Sequence, residues 1–263
     1  MAERPTIVLL HGGPGADHTL FKPELSAAAG FAQVIYLDQR GSGRSVRSGP
    51  LQWTWDRWAD DAIDFCDALE IERPVLVGTS SGGWIALLAA IRHPDRFAGL
   101  VLDSVMPGDA YERLEMFERL GGPEARDVAL RYWAGDTGDE MTDAWERICL
   151  PLYSQQDGDG QDRLRRVRWN DDVLDHFRLV LAREFDPWYG LDRLACRTMI
   201  LAGEHDPVAT ASAARRFAHR LSHTDVRLHV LARAGHGVFR EAPKRAMDLL
   251  REFVVSGHVP RLH

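Results

Sequence analysis

Cysteine is scarce: Cys66, Cys149 and Cys196 are the three in 263 residues. An odd number at wide spacing is neither a disulfide framework nor a metal-ligand pattern, and it suits a reducing compartment. Cys66 falls on the apolar face of a helical pattern, where packing is the expected role. Long apolar runs are missing too. No stretch reaches the roughly 18 apolar residues that a membrane span needs. The first apolar run, at about five residues, is too short for a secretion signal. These absences predict a cytoplasmic protein with no membrane partner. Basic charge is also in short supply, since 32 Lys and Arg against 39 Asp and Glu leave a formal charge of −7. That balance gives no footprint for nucleic acid. The one basic cluster, Arg163, Arg165, Arg166 and Arg168, is expected to be a solvated helix face. The glycine-rich loop His11–Gly15 could instead cradle phosphate, but it has neither G-x-G-x-x-G nor an ending in Gly-Lys-Ser/Thr.

What is present alternates. Residues 6–10, 33–37, 75–79, 98–103, 198–202 and 226–231 are short apolar runs that read as strands, most of them buried on both faces. Between them, residues 57–70, 81–92 and about 209–221 show helical spacing, as does a last stretch carrying Ala246, Leu249, Leu250, Phe253 and Val254. Strands alternating with amphipathic helices predict an α/β protein with a mostly parallel sheet, flanked by helices through right-handed crossovers. The alternation stops at Pro107 and resumes near Thr198. The interval has helical stretches, loops at Gly121-Gly122-Pro123, Gly135–Gly138 and Asp157–Gly160, and the aromatics Trp133, Tyr153, Trp169, Trp188 and Tyr189. The reading is a helical cap, 107–189, inserted after the fourth strand above the C-terminal edge of a core made of 1–106 and 190–263. Ligand crevices of α/β proteins lie at that edge.

The third run ends in Gly78-Thr79-Ser80-Ser81-Gly82, and a helical pattern begins at once. The G-x-S-x-G spacing has a steric cause: a serine on a strained strand-to-helix turn leaves no room for side chains two residues away on either side. Ser81 is the rival nucleophile, but its spacing would require glycine at Thr79. A serine hydroxyl needs a base, a carboxylate to orient that base, and donors for an oxyanion. His236 follows the last strand between Gly235 and Gly237, with space for its ring to swing over the sheet edge. Asp206 follows the strand before it in a turn bounded by Pro207, and Asp103, after the fourth strand, competes for the same role. The order Ser80, Asp206, His236 is the one expected when the serine sits at a hydrolase elbow. The oxyanion donors are predicted to be the backbone N–H of Ser81, at a helix start, and that of Gly13 in His11-Gly-Gly-Pro-Gly15.

These strings, with Asp38-Gln-Arg-Gly-Ser-Gly-Arg-Ser45 and Gly203-Glu-His-Asp206, resemble the α/β-hydrolase superfamily and within it the proline iminopeptidase group. The resemblance covers 1–106 and 190–256. It implies the α/β-hydrolase fold and a cofactor-free serine hydrolase that releases N-terminal residues from small amides or short peptides. A helical cap in that group holds the substrate's ammonium group on acidic side chains. By the same resemblance Ser80, Asp206 and His236 would form the triad. Three departures bear on substrate and assembly. Ser81 stands where the group has tryptophan. Trp145-Glu146 is the nearest match to the group's Trp-Glu pair, which makes these two the substrate-binding candidates. The group's opening β-hairpin has no counterpart in the five residues before the first strand. The 33–37 strand should then be a sheet edge, open to a homo-oligomer partner or needing a covering segment. The alternatives are a carboxylesterase or lactonase with an apolar pocket, and a catalytically silent protein that binds a small molecule under its cap.

Overall fold

The computed structural model describes residues 4–136, 138–156 and 164–257. Six strands, β1 (Thr6–Leu10), β2 (Gln33–Leu37), β3 (Val75–Thr79), β4 (Gly99–Asp103), β5 (Thr198–Gly203) and β6 (Val226–Leu231), form one sheet in the order β2-β1-β3-β4-β5-β6. Every pairing is parallel, with Leu10 opposite both Leu37 and Gly78. Continuous apolar strands follow from cover on both faces. Val8 and Leu10 point into one core with α1 (Trp55–Ala68) and α2 (Ser81–Arg92), while Ile7 and Leu9 point into a second with Phe21, Leu25 and the C-terminal helix. Truncating a fully buried residue such as Leu9 to alanine should cost about 2–5 kcal/mol.

The chain leaves β1 outward to β2 and then crosses back to β3, so strand order reverses between β1 and β3. Loops on either side of such a reversal part and leave a crevice at the C-terminal edge. Ser80 follows β3 at that crevice.

Between β4 and β5 lie α3 (Ala110–Ala134), α4 (Asp139–Ala144), α5 (Asp171–His176) and several shorter helical turns, with no strand among the described residues. The Gly121-Gly122-Pro123 loop expected from sequence is instead a kink inside α3. Gly122 alone leaves helical geometry, at φ 78° and ψ −174°, and Pro123 opens the second half, where its missing N–H is no loss. This inserted segment has its own apolar cluster around Phe117, Ala129, Met141 and Trp145. It is fastened to the sheet domain by aromatics: Phe185 stacks on Trp84 at 4.0 Å between ring centroids, and Trp55 Nε1 donates to Leu181 O at 2.9 Å. Of the basic cluster, Arg165, Arg166 and Arg168 are exposed on a turn and extended chain, not on a helix face, and Arg163 lies outside the described residues.

After β5 come α6 (Ala211–Arg220), then β6, the single turn α7 (Val238–Glu241) and α8 (Pro243–Ser256). No described helix is long and apolar enough to cross a membrane. Strand β2 is a sheet edge, as expected, but Ile35 and Leu37 pack against one core and Val34 and Tyr36 against the other. Its side chains are thus partly covered, and its outer backbone margin pairs with no described strand.

Candidate active site

Ser80 adopts φ 53° and ψ −126° between β3 and α2. The region is costly for a residue with a Cβ, and it persists only where neighbours enforce it. Here the neighbours are glycines in close contact. A Cβ on Gly82 would lie 2.1 Å from the Leu10 carbonyl oxygen, and one on Gly78 would lie 2.4 Å from Gly83 Cα. The backbone N–H of Ser80 donates to Asp103 O at 2.9 Å, which fixes the turn to the next strand. Ser81, the rival nucleophile, is the first residue of α2 and is 4% exposed. Its N–H belongs to the first turn and so has no intrahelical acceptor.

The loop after β1 packs onto this elbow. A Cβ on Gly12 would come within 2.9 Å of Ser80 Cβ, and Gly13 has φ 51°. Gln39, after β2, braces the loop by donating from Nε2 to His11 O at 2.8 Å and from its backbone N–H to His11 Nε2 at 3.3 Å. His11 is 1% exposed, and burial lowers its pKa to about 4, against an opposing hydrogen bond to Gly12. A ring that accepts at Nε2 is neutral, with its proton on Nδ1 facing Gly12 O.

Asp206 and His236 arrive from the ends of β5 and β6. His236 Nδ1 lies 2.9 Å from Asp206 Oδ2, and the other carboxylate oxygen accepts from the N–H groups of Val208 and Ala209, both at 2.8 Å. Asp206 is fully buried and His236 is 7% exposed. This geometry holds the imidazole proton on Nδ1 and leaves Nε2 as the acceptor. Asp103, the competing acid, is also fully buried but spends its carboxylate elsewhere, accepting from Thr79 Oγ1 at 3.0 Å, Ser104 Oγ at 3.2 Å and Val238 N at 2.8 Å. Burial pushes its pKa up.

Ser80, His236 and Gly13 share a cavity of about 60 Å³, with Leu20, Phe21 and Phe239 among its apolar walls and Glu24 and Arg240 as charged ones. That volume holds a few waters or a short acyl chain. The structure therefore brings together Ser80, Ser81, Asp206, His236 and Gly13. It does not bring in Trp145 or Glu146. Trp145 stacks on Tyr132 at 3.7 Å within the core of the inserted segment, and Glu146 is exposed to solvent. Neither lines the cavity; Trp145 lies one ring behind Tyr153, 6.2 Å from it, as part of the apolar cluster of the inserted segment.

Sequence reasoning missed the residues of the inserted segment that do reach the site. The Trp169 ring stands over the His11–Gly15 loop, 3.4 Å from where a Gly13 Cβ would lie. Asn170 ties it there, donating from its backbone to Gly15 O at 2.8 Å and from Nδ2 to Gly41 O at 2.7 Å. Tyr153 places its ring 5.1 Å from that of His236 and accepts the His236 N–H at 2.7 Å. No periodicity marks these residues; they are single contacts between stretches far apart in the chain.

Comparisons with known proteins agree with this architecture. A 2-hydroxymuconate semialdehyde hydrolase from Pseudomonas sp. (strain CF600) is 29% identical over 267 residues, spanning 95% of this chain and 87% of its own. A 2-hydroxy-6-oxo-2,4-heptadienoate hydrolase from Pseudomonas putida is 28% identical over 263 residues, with 95% and 89% coverage. The crystal structure of proline iminopeptidase from Mycobacterium smegmatis superposes with a TM-score of 0.75 at 23% identity, covering 96% of this chain and 90% of that one, a likeness of fold. The profile of the alpha/beta hydrolase fold family matches residues 5–243. With its parallel sheet, its elbow after β3 and that match, the chain belongs to the alpha/beta hydrolase fold family.

Proposed function

We propose that the protein is a serine hydrolase that cleaves a small ester or amide through an acyl-enzyme on Ser80. The observation that carries this reading is the Asp206–His236 pair, 2.9 Å apart and buried, opening on the same cavity as a serine at φ 53°. His236 Nε2 takes the Ser80 proton as Oγ attacks the acyl carbonyl, and the oxyanion is held by the N–H groups of Gly13 and Ser81. The proton passes from His236 to the leaving alcohol or amine. Water, deprotonated by the same imidazole, then releases the acid and restores the serine. Asp206 stays ionised and keeps the ring in the tautomer that can accept.

The inserted segment acts as a cap. Trp169 roofs the oxyanion loop, where it excludes water from the developing charge. The small, mostly apolar cavity favours a short acyl group over a long chain. A residue-releasing aminopeptidase, the activity of the group that the sequence resembles, needs a carboxylate near the acyl site for the substrate's ammonium. Glu24 lines the cavity and supports that second reading, whereas Glu146 does not line it.

A fluorophosphonate probe should label the protein at Ser80 and not label a folded Ser80→Ala variant. Equal labelling of both would refute the assignment. No labelling of the folded wild type would favour a silent small-molecule binder. Proline p-nitroanilide against its N-acylated form separates the remaining two: dependence on a free amine supports the aminopeptidase, and turnover confined to uncharged esters supports the esterase.

A further inference from the structure

The loop that carries His236 is held from two sides. On one side it meets the Asp206 turn, where His205 N–H donates to Ala234 O at 2.9 Å and a Cβ on Gly203 would fall 2.1 Å from Gly235 O. On the other side lies the inserted segment at 153–155. Tyr153 O accepts the His236 N–H, and it lies so close that a Cβ on Gly235 would be 2.2 Å away.

One side chain closes this second side. Glu241, the last residue of α7, is 7% exposed and has three donors around its carboxylate. Ser154 Oγ donates to Oε1 at 2.7 Å; the N–H groups of Gln155 and Gly235 donate to Oε2 at 2.7 and 3.1 Å. A single oxygen thus joins the residue before His236 to the inserted segment. Backbone N–H groups left without an acceptor in such a place carry their full desolvation cost, so removal of the carboxylate favours separation of the two strands of chain.

We propose that Glu241 is a positioning residue, which pins the His236 loop to residues 153–155 and so sets where the imidazole stands relative to Ser80; the kinetic half of this claim rests on the serine hydrolase reading. It acts through geometry and not through charge. A glutamine can supply the same arrangement, with Oε1 accepting both backbone N–H groups and Nε2 donating to Ser154 Oγ, an oxygen that already accepts from Gln156 N at 3.2 Å and can take a second donor.

The test compares Glu241→Ala and Glu241→Gln with the wild type on p-nitrophenyl acetate, together with amide hydrogen exchange of the segments around 153–156 and 234–237. Displacement of a catalytic group by about 1 Å costs up to roughly 100-fold in rate, so Glu241→Ala should lower kcat about 10- to 100-fold with KM nearly unchanged. Glu241→Gln should stay within about 3-fold of the wild type, because its acceptor is retained. Exchange at both segments should rise in the alanine variant alone. Equal kcat in all three proteins, or equal losses in the two variants, would overturn the proposal. Unchanged exchange in Glu241→Ala would overturn it as well. If the wild type neither turns over the ester nor labels at Ser80, the hydrolase reading fails, and the exchange result still decides whether Glu241 pins the loop. Should Glu241→Ala fail to fold, Ser154→Ala removes one donor only and should raise exchange at 153–156 with a smaller loss of kcat. No change in either measurement would count against the clamp.

Discussion

At the scale of single residues, two buried carboxylates lie near one imidazole and only one of them meets its Nδ1. Asp206→Asn should lower kcat by about 10⁴ because the amide favours the wrong tautomer. Asp103→Asn should leave kcat within about 10-fold but lower stability by about 1–3 kcal/mol, since Asp103 accepts from three groups on three segments. Steady-state kinetics and urea unfolding on the same two variants separate the roles. His11 gives a pH signature of its own. Between pH 6.5 and about 4 the unfolded chain binds a proton that the native ring refuses, so stability should fall by roughly 3 kcal/mol as pH drops through that window. His11→Asn should flatten this slope. Asp38 acts lower down. Burial works to raise its pKa, but hydrogen bonds from the backbone of His18 and Arg44 and from the His18 ring hold it at about 2. Its contribution is present above 3.8 and is lost as pH falls toward 2.

At the scale of elements, the inserted segment is attached through Trp55, Trp84, Phe177 and Phe185, an aromatic box in which neither side is complete alone. Phe185→Ala should release the segment before the sheet melts, giving a separate early transition in near-ultraviolet circular dichroism on heating. The sheet was legible from composition, because a parallel strand covered on both faces reads as an unbroken apolar run and its loops fall where such runs end. Ser80, Asp206 and His236 could be nominated for the same reason, each lying in a short glycine- or proline-containing turn within five residues of a strand's end. The place and helical character of the inserted segment were legible as well, but its packing was not. Trp145 and Glu146 have a matching order, yet which face of a short helix turns toward the serine depends on packing among Phe117, Tyr132 and Trp133, and local sequence does not encode that. Strand β2 has no described strand along its outer margin, and we propose that a second copy of the chain pairs there. Sedimentation at increasing concentration is expected to show self-association, and a monomer at every concentration would remove the idea.

For the molecule as a whole, a six-stranded sheet supplies a rigid edge, and what stands above it decides what is hydrolysed. A cavity of about 60 Å³ beside the serine should make p-nitrophenyl acetate a better substrate than the octanoate, and Phe21→Ala should narrow that difference. Among the described residues, two stretches of the inserted segment touch the proposed machinery at opposite halves of it, Trp169-Asn170 on the Gly13 loop and residues 153–155 on the His236 loop. Specificity and turnover are therefore not modular here. Grafting another protein's insert onto this sheet would import foreign struts for both the Gly13 loop and the His236 loop, and such chimeras should lose speed even on substrates that both parents accept.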